Sequence, residues 1–532
     1  MKKIIIVGGG TSGWLAAAYL AARLGSKQAS GLSISLIESQ DILPIGVGEA
    51  TTPSIRATLA DIGFNEFEIM QMTDATFKQG ILFKNWFSEN QEHAYFNPFE
   101  RPLRAGSEGL EQYWLKGLDP LKRDFIDAVG IQYRLARLNK APKTMHDRQY
   151  DAPLPYAYHL DAGKLAASLK KAALARGVTH QIAQVVKVEL TANKQIHALS
   201  LADGRSIQGD FFIDCSGFKA SLIKTIDQQD FNDQSHVLFC DSALVCQTPA
   251  DRKSRKPYTL STAMPSGWAW QIELMTRTGN GYVYSSKHTS DEQAKRDFCR
   301  HLAVPETTEL KKLTFPVGYR NRPWLQNCVA IGLAGGFIEP LESTGIHLVE
   351  QAVWALAAML PGYFNQAECA DEFNRLMCQH YQHAIHFVKF HYILSQRKQT
   401  QFWRDNQNTS SWTDWLLEKH KKWQACPPDI YDLQNLHSIF DHASYQFIYF
   451  GMQQSSKPTE LSARREAFAQ RIFMQTQSAY EKAKKVLPDH WQLLQAIANE
   501  PKNKTDYVQQ SLQNTRIHAS IRNTPQNYKA SL

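Results

Sequence analysis

The fold is decided near the start of the 532-residue chain, by the stretch Ile4-Ile5-Ile6-Val7-Gly8-Gly9-Gly10-Thr11-Ser12-Gly13-Trp14. Its first four residues form a short apolar, β-branched run, which is typical of a strand buried on both faces. Gly8, Gly10 and Gly13 follow at the spacing G-x-G-x-x-G, and the Ala-rich segment from Trp14 to Ala22 predicts a helix. In such a unit the glycines let the backbone turn tightly and approach a pyrophosphate, which faces the helix N-terminus. The stretch therefore predicts a dinucleotide-binding site.

Other segments extend this unit into an α/β domain. A second predicted strand, 33–38, ends on Glu38, where an acid that binds a ribose is expected. Strands are also predicted near 184–190 and at 211–215, and a helix at 161–176 with Asp161 as its N-cap. Residues 328–336 again read as a strand followed by a glycine turn, before a helix that runs to about Leu360. This alternation predicts a mostly parallel sheet, and two glycine turns favour an elongated dinucleotide such as FAD.

Composition excludes several classes of protein. The chain has 59 basic and 51 acidic side chains without a basic block, so we expect no nucleic-acid partner. The eight cysteines form no C-x-x-C pair, which favours free thiols in a reducing cytoplasm and no metal site. No apolar run reaches the roughly 18 residues that a membrane span needs. We therefore expect a soluble, cytoplasmic enzyme.

The pattern changes from about residue 364 onward. A long amphipathic helix is predicted at 364–396, followed by further helical segments. We divide the chain into an FAD-binding α/β domain with inserted substrate-binding elements at 1–396, a helical substrate-covering region at 397–500, and a polar tail at 501–532.

Five motifs distinguish the chain from other proteins with an N-terminal glycine turn. They are Gly46-Val47-Gly48-Glu49-Ala50-Thr51, Phe77-Lys78, Trp268-x-Trp270-x-Ile272, Pro340-Leu341-Glu342-Ser343-Thr344-Gly345 and Phe402-Trp403-Arg404. Together, and in this order between Ile4 and about Gly451, they resemble the flavin-dependent tryptophan halogenase family. The resemblance implies an FAD-binding domain of the glutathione-reductase type with a mainly helical C-terminal region.

The resemblance also implies a reaction. In this family, reduced FAD (FADH2), oxygen and chloride or bromide yield hypohalous acid, which passes through a tunnel to a lysine beside an aromatic substrate. Lys78 matches that lysine, Glu342 matches the acid near it, and Ser343 would orient the pair. Thr344 and Gly345 match the turn that binds the halide. The residues expected to hold FAD are Gly8, Gly10, Thr11, Ser12, Gly13, Trp14, Glu38, Gly48, Glu49, Ala50, Val185, Gly332, Leu333 and Ile346.

The substrate follows less directly from the resemblance. The expected pocket residues are Asn97, Phe99, Trp268, Trp270 and Phe450. Family members that act on free tryptophan use a histidine and a phenylalanine near the stretch matching 95–99, where this chain has Asn97 and Phe99 but no histidine, and the stretch 445–450 shows no carboxylate to bind an ammonium group. Glu273 also replaces the proline that ends the family's tryptophan motif. We expect an indole-type substrate such as indole or tryptophan, and a larger aromatic stays open.

Two alternatives remain at this point: a flavin monooxygenase or reductase acting on an aromatic compound, and a ligand-binding protein without turnover. The resemblance further implies a separate NAD(P)H-dependent flavin reductase as partner, and a homodimer.

Overall fold

A computed structural model of the chain describes residues 1–26, 31–40, 48–89, 92–106, 108–250, 255–366, 368–433, 440–458 and 462–501. Its strands are β1 (Lys2–Val7), β2 (Leu32–Glu38), β3 (Gly48–Ala50), β4 (Thr76–Lys78), β5 (Gly80–Lys84), β6 (Ala94–Pro98), β7 (Arg104–Ala105), β8 (Glu108–Gly109), β9 (Ala157–Asp161), β10 (Thr179–Ile182), β11 (Val185–Leu190), β12 (Ile196–Leu201), β13 (Ser206–Gln208), β14 (Phe211–Asp214), β15 (Asn232–Asp233), β16 (Ser242–Pro249), β17 (Thr259–Met264), β18 (Gly267–Glu273), β19 (Arg277–Tyr284), β20 (Lys311–Thr314), β21 (Gly318–Tyr319), β22 (Trp324–Leu325), β23 (Cys328–Ala330) and β24 (Gly336–Phe337).

The helices are numbered in chain order. They are α1 (Thr11–Leu24), α2 (Ile55–Ile62), α3 (Glu66–Met72), α4 (Glu111–Leu115), α5 (Phe125–Val129), α6 (Gln132–Arg137), α7 (Ala162–Ala175), α8 (Ile223–Ile226), α9 (Asp291–Leu302), α10 (Thr344–Phe364), α11 (Ala370–Ile393), α12 (Gln401–Gln407), α13 (Asp414–Ala425), α14 (His442–Gly451), α15 (Ala463–Val486) and α16 (His490–Asn499).

The central sheet has the order β10-β2-β1-β14-β23-β22, and its first five strands are parallel. β1 lies between β2 and β14, with Ile4 opposite both Ile34 and Phe211. Helix α1 packs against α7 and α10, which buries its alanine-rich face. The prediction of an α/β domain with a mostly parallel sheet is confirmed, because each apolar run is covered on both sides as parallel strands require.

A second sheet carries the elements around the predicted catalytic residues. Its order is β20-β16-β19-β18-β17-β5-β6, and β18 holds both motif tryptophans. The short strands β3 and β4 pair with β9 in a separate three-stranded sheet. The strand β18 ends at Glu273, whose carbonyl accepts a hydrogen bond from Thr76. The replacement of the family's proline therefore leaves the end of this strand in place.

Two helix predictions had different outcomes. Helix α7 begins after Asp161, whose side chain accepts a hydrogen bond from the N–H of Lys164, as predicted for an N-cap. The helix predicted at 364–396 is shorter, because α10 continues to Phe364, where it packs against Phe211, and α11 begins only at Ala370. The predicted start was wrong for that reason.

The C-terminal helices pack onto the rest of the chain: α15 against α5 and α6, and α16 against α3. The division at 396/397 stays a prediction, and residues 502–532 of the predicted tail lie outside the described residues. All eight cysteines are free thiols. Within the described ranges, no helix combines the length and the apolar character needed to cross a membrane.

Candidate active site

The glycine turn after β1 leaves space for a ligand at one position and none at its neighbours. Gly8 has φ of +119°, and a Cβ on it would lie 2.1 Å from the carbonyl oxygen of Cys215. A Cβ on Gly13 would lie 1.9 Å from the carbonyl oxygen of Gly8, so both glycines are required for packing. A Cβ on Gly10, by contrast, would meet nothing within 4 Å. Open space at the N-terminus of α1 is what a bound pyrophosphate requires.

The second glycine turn lies against the first. Gly332 follows β23 with φ of +69°, and a Cβ there would lie 2.3 Å from Ser12 Oγ. Leu333 shares this turn, and Ile346 lies on α10, which packs against it. The two turns therefore form one surface at the carboxyl end of the central sheet, where dinucleotides bind in α/β folds.

Glu38 lies at the end of β2, directly beside the first turn. A Cβ on Gly9 would overlap its carboxylate, 1.6 Å from Oε2. The other oxygen, Oε1, is 2.9 Å from Lys170 Nζ and 2.7 Å from His180 Nε2. Lys170 Nζ is also 5.2 Å from the centre of the Trp14 ring. These positions fit a dinucleotide whose ribose would meet Glu38.

The remaining predicted cofactor residues lie on three elements. Thr11 begins α1, and its hydroxyl is 3.5 Å from the carbonyl oxygen of Ala162. Gly48, Glu49 and Ala50 form β3, where burial raises the pKa of Glu49 to about 7. Val185 begins β11 and packs against the apolar cluster around β1. Gly46 and Val47 of the same motif lie outside the described residues. The cofactor assignments stay predictions that the geometry supports.

Lys78 is the last residue of β4, and its side chain is fully buried. Its Nζ donates to the carbonyl oxygen of Thr51 at 2.9 Å and to Ser343 Oγ at 2.7 Å, and it lies 5.3 Å from the centre of the Phe99 ring. Burial lowers the pKa of Lys78 to about 7, and the charge of Glu342 acts in the opposite direction.

A structural lysine in the same protein has different surroundings. Lys143 is also fully buried, but its Nζ lies 2.7 Å from the carboxylate of Glu66. Among the described residues, Lys78 has only neutral oxygens within hydrogen-bond distance. A buried amine without a paired carboxylate is the arrangement that makes a lysine reactive near neutral pH.

Ser343 joins Lys78 to the start of α10. It has φ of +62°, an unusual left-handed conformation for a non-glycine residue, which is frequent at functional sites. Thr344 and Gly345 then form the first turn of α10. Thr344 Oγ1 is buried and has no partner within the described part of the chain, and a Cβ on Gly345 would meet nothing within 4 Å. Free N–H groups beside open space suit the predicted halide.

Glu342 is 3% exposed and is held from two sides. The Nδ2 group of Asn97 donates to its Oε2 at 3.0 Å, and Nε2 of His391 lies 2.9 Å from its Oε1. The second contact is not aligned as a hydrogen bond, so Oε1 keeps a lone pair free. Tyr95 hydroxyl lies 2.7 Å from Nδ1 of the same imidazole.

His391 and Tyr95 were missed by the sequence analysis. His391 lies on the long helix α11, where its position in an apolar pattern is indistinguishable from core packing. Tyr95 lies two residues before Asn97 on β6, and this alternation is the one signal that could have indicated a shared face.

The predicted pocket residues lie on three elements. Trp268 is fully buried, and its Nε1 donates to Glu339 Oε2 at 2.6 Å, a partner that the motif did not indicate. Trp270 lies over Gly281, where a Cβ would be 2.4 Å from its ring. Phe450 packs at 4.4 Å against Phe125. Lining of the substrate pocket by Trp268, Trp270 and Phe450 stays a prediction.

The helix α14 shows how the stretch 445–450 is used. Tyr445 and Gln446 are buried, and Gln446 Nε2 donates to the carbonyl oxygen of Pro428. Both side chains are thus packed within the protein.

A cavity of about 650 Å³ opens elsewhere in the molecule. It is lined by Ser235, His236, Phe239, Asp241, Ser285, Lys287, Asp405, Asn408, Ser410 and Ser411. None of the predicted site residues contributes to it, so the buried lysine–serine–glutamate group and not this cavity is the candidate active site.

Known proteins share both the sequence and the fold. A model of the tryptophan halogenase family matches residues 3–467. The tryptophan 7-halogenase RebH of Lentzea aerocolonigenes is 35% identical over 448 residues, which are 80% of this chain and 82% of that protein. The 7-chloro-L-tryptophan 6-halogenase KtzR of Kutzneria sp. is 32% identical over 92% of this chain and 98% of its own length. The crystal structure of a tryptophan halogenase from Shewanella frigidimarina has a TM-score of 0.89 at 36% identity and covers 95% of this chain and 99% of its own.

Proposed function

This chain belongs to the tryptophan halogenase family and is a flavin-dependent halogenase, and we propose that it halogenates a small indole-type aromatic substrate through Lys78, Ser343 and Glu342. The observation that carries the proposal is the fully buried Lys78 amine, which contacts Ser343 Oγ and has no paired carboxylate in the part of the chain that the structure describes. A flavin monooxygenase is not favoured, because the relatives that match over most of the chain are halogenases.

The residues present fit FAD, because the backbone at Gly10 borders open space and Glu38 adjoins the same turn. Reduced FAD, with oxygen and chloride or bromide, supplies hypohalous acid. The first turn of α10 would hold the halide with its free N–H groups and the hydroxyl of Thr344. Burial raises the pKa of Glu49 to about 7, so this carboxyl carries only part of its negative charge at neutral pH.

Lys78 then receives the oxidised halogen. With a pKa of about 7, much of its amine is neutral at physiological pH and can act as donor or nucleophile. It either holds hypohalous acid by a hydrogen bond or takes the halogen to form a haloamine, in which case water leaves. Ser343 Oγ and the carbonyl oxygen of Thr51 hold the amine in one position for this step.

Glu342 acts on the substrate ring. Its carboxylate would stabilise the positive charge that develops when the ring carbon binds the halogen, and its free Oε1 lone pair would accept the proton that leaves that carbon. Asn97 and His391 keep the carboxylate in place from opposite sides.

The proposal includes the setting in which this enzyme works. A separate NAD(P)H-dependent flavin reductase would supply reduced flavin, and the eight free thiols support a reducing cytoplasm. Indole is the first substrate to test, because Tyr445 and Gln446 of α14 are buried within the protein, and tryptophan is the second, because relatives of this chain are tryptophan halogenases. A homodimer stays a prediction from the family.

A halogenation assay tests this function. The full chain is incubated with FAD, a flavin reductase, NADH, chloride or bromide, and a panel of indole, tryptophan and larger aromatics, and products are identified by mass spectrometry. Halogenated product that needs halide, FAD and the enzyme supports the proposal. Hydroxylated product without halide, or no product over the whole panel, would overturn it.

A further inference from the structure

The strand β6 presents one face to the candidate active site. Tyr95 and Asn97 alternate along it, so their side chains point to the same side, and Phe99 follows directly after its last residue, Pro98. Each of them meets the catalytic group: Tyr95 through His391, Asn97 through Glu342, and Phe99 beneath the Lys78 amine. The other face serves the core, since Phe96 stacks on Tyr133 at 4.7 Å.

Asn97 lies on this face, and the orientation of its amide is determined by its partner. Its nitrogen donates to Glu342 Oε2 at 3.0 Å. The reverse orientation would place the amide oxygen against a carboxylate oxygen, which is repulsive because both are acceptors. The oxygen Oδ1 therefore points away from Glu342.

Asn97 Oδ1 has no hydrogen-bond partner among the described residues, although the side chain is only 6% exposed. The side chains two residues away on either side do not pair with it, because the Tyr95 hydroxyl lies 2.7 Å from His391 Nδ1 and the Phe99 ring carries no donor. A buried acceptor without a donor is costly, and an unpartnered one in a native site calls for a ligand or a water molecule.

We propose that Asn97 Oδ1 accepts a hydrogen bond from a ring N–H of the substrate, which makes Asn97 a specificity-determining residue. This inference rests on the proposed function, because it places the aromatic substrate between Phe99 and Glu342. The substrate class is then a fused aromatic ring with an N–H group, and isosteric rings without a donor are rejected because they leave the buried oxygen unpaired. One amide thus orients the catalytic carboxylate with its nitrogen and selects the substrate with its oxygen.

The experiment measures binding, so that it does not depend on halogenation. Indole and benzothiophene, which differ chiefly in the N–H group, are titrated into the full chain by isothermal titration calorimetry. We expect indole to bind about tenfold more tightly than benzothiophene to the wild type. In Asn97→Leu, and likewise in Asn97→Ala if the leucine variant does not fold, we expect the ratio to fall to about 1. Equal binding of both probes to the wild type, or an unchanged ratio in a folded variant, would overturn the inference and assign the oxygen to water.

Two controls separate this role from general effects of the substitution. Asn280, on β19, also has a buried Oδ1 without a described partner and donates from Nδ2 to Thr248 Oγ1. Asn280→Ala removes a comparable amide and should leave the tenfold ratio intact. In the halogenation assay, His391→Gln disturbs Glu342 from its other side and should slow turnover of indole and donor-free aromatics alike, with no change in their ratio.

The failures of the two proposals are distinguishable. A chain that binds indole selectively but gives no halogenated product would contradict the proposed function and leave the assignment of Asn97 intact. A chain that halogenates indole without preferring it over benzothiophene in the binding experiment would contradict only the assignment of Asn97.

Discussion

Two regions differ in how they are built. The strand and first glycine turn, from Ile4 to Gly13, here called the cradle, are ten consecutive residues, whereas the catalytic group (Lys78, Asn97, Glu342 and Ser343) joins segments that are far apart in the chain. Lys78 contacts Ser343 across 265 positions, and Asn97 contacts Glu342 across 245. The cradle works through its backbone and needs glycine at positions 8, 10 and 13. The catalytic group works through side chains whose properties depend on everything packed around them.

This difference has a consequence for substitutions. Damage to the cradle should act on folding or on cofactor affinity, and damage to the catalytic group should act on substrate selection or halogen transfer and leave cofactor affinity intact. The following experiments test that separation.

The largest effect is expected for Lys78→Met. Loss of the amine should lower the rate of halogenation by at least about 1,000-fold, because no other group can deliver the halogen. FAD binding and the release of hydrogen peroxide should persist, since the cradle is untouched. Product is measured by mass spectrometry and FAD binding by fluorescence.

Lys389→Met is the matched control for that variant. Lys389 is likewise buried with a pKa lowered by burial to about 7, but its Nζ donates to Asn406 Oδ1, outside the catalytic group. This variant should keep more than a tenth of the halogenation rate. Comparable losses in both variants would mean that any buried lysine matters, and would remove Lys78 from its role.

Glu342→Gln should lower kcat about 100-fold with little change in KM. The amide keeps the size of the carboxylate, but it neither accepts the ring proton nor stabilises the positive ring. Initial rates over a range of indole concentrations separate the two constants. A rise in KM at unchanged kcat would assign Glu342 to binding.

Gly10→Ala and Gly13→Ala separate the two functions of the cradle. At Gly10 the new methyl group meets no protein atom, so thermal stability should stay unchanged while FAD affinity falls at least about tenfold. At Gly13 it overlaps the carbonyl oxygen of Gly8, and unfolding should become easier by about 1–3 kcal/mol. Calorimetry without FAD and titration with FAD measure the two effects. Unchanged FAD affinity in Gly10→Ala would contradict the assignment of that space to the cofactor.

The smallest effect is a dependence of stability on pH. In the unfolded chain Lys78 keeps its proton up to its ordinary pKa of 10.5, whereas in the folded chain it loses the proton near pH 7. Between these values the unfolded state binds more protons, so stability rises with pH, by up to about 1.4 kcal/mol per pH unit from this group. Urea unfolding at pH 7 to 9 should show a smaller slope in Lys78→Met than in the wild type. Equal slopes would mean that the folded protein leaves the pKa of Lys78 near its ordinary value.

Short sequence patterns were enough to predict much of the secondary structure. The strand, turn and helix from Ile4 onward follow from residues a few positions apart, as does the N-cap at Asp161. The helix predicted from 364 began later, because packing of Phe364 against Phe211 extends α10, and no short window of sequence contains that contact. The roles of Lys78 and Glu342 came from their motifs and the resemblance, not from their own neighbours in the chain.

The sequence by itself determined the cradle and the identity of the residues that could react, because backbone turns and helix caps depend on adjacent residues. Only the tertiary structure decided how those residues behave. It buries the Lys78 amine, sets His391 and Asn97 on either side of Glu342, and leaves one amide oxygen without a donor. Desolvation and hydrogen bonding depend on which atoms come within a few ångströms, and here those atoms belong to segments up to 296 positions apart.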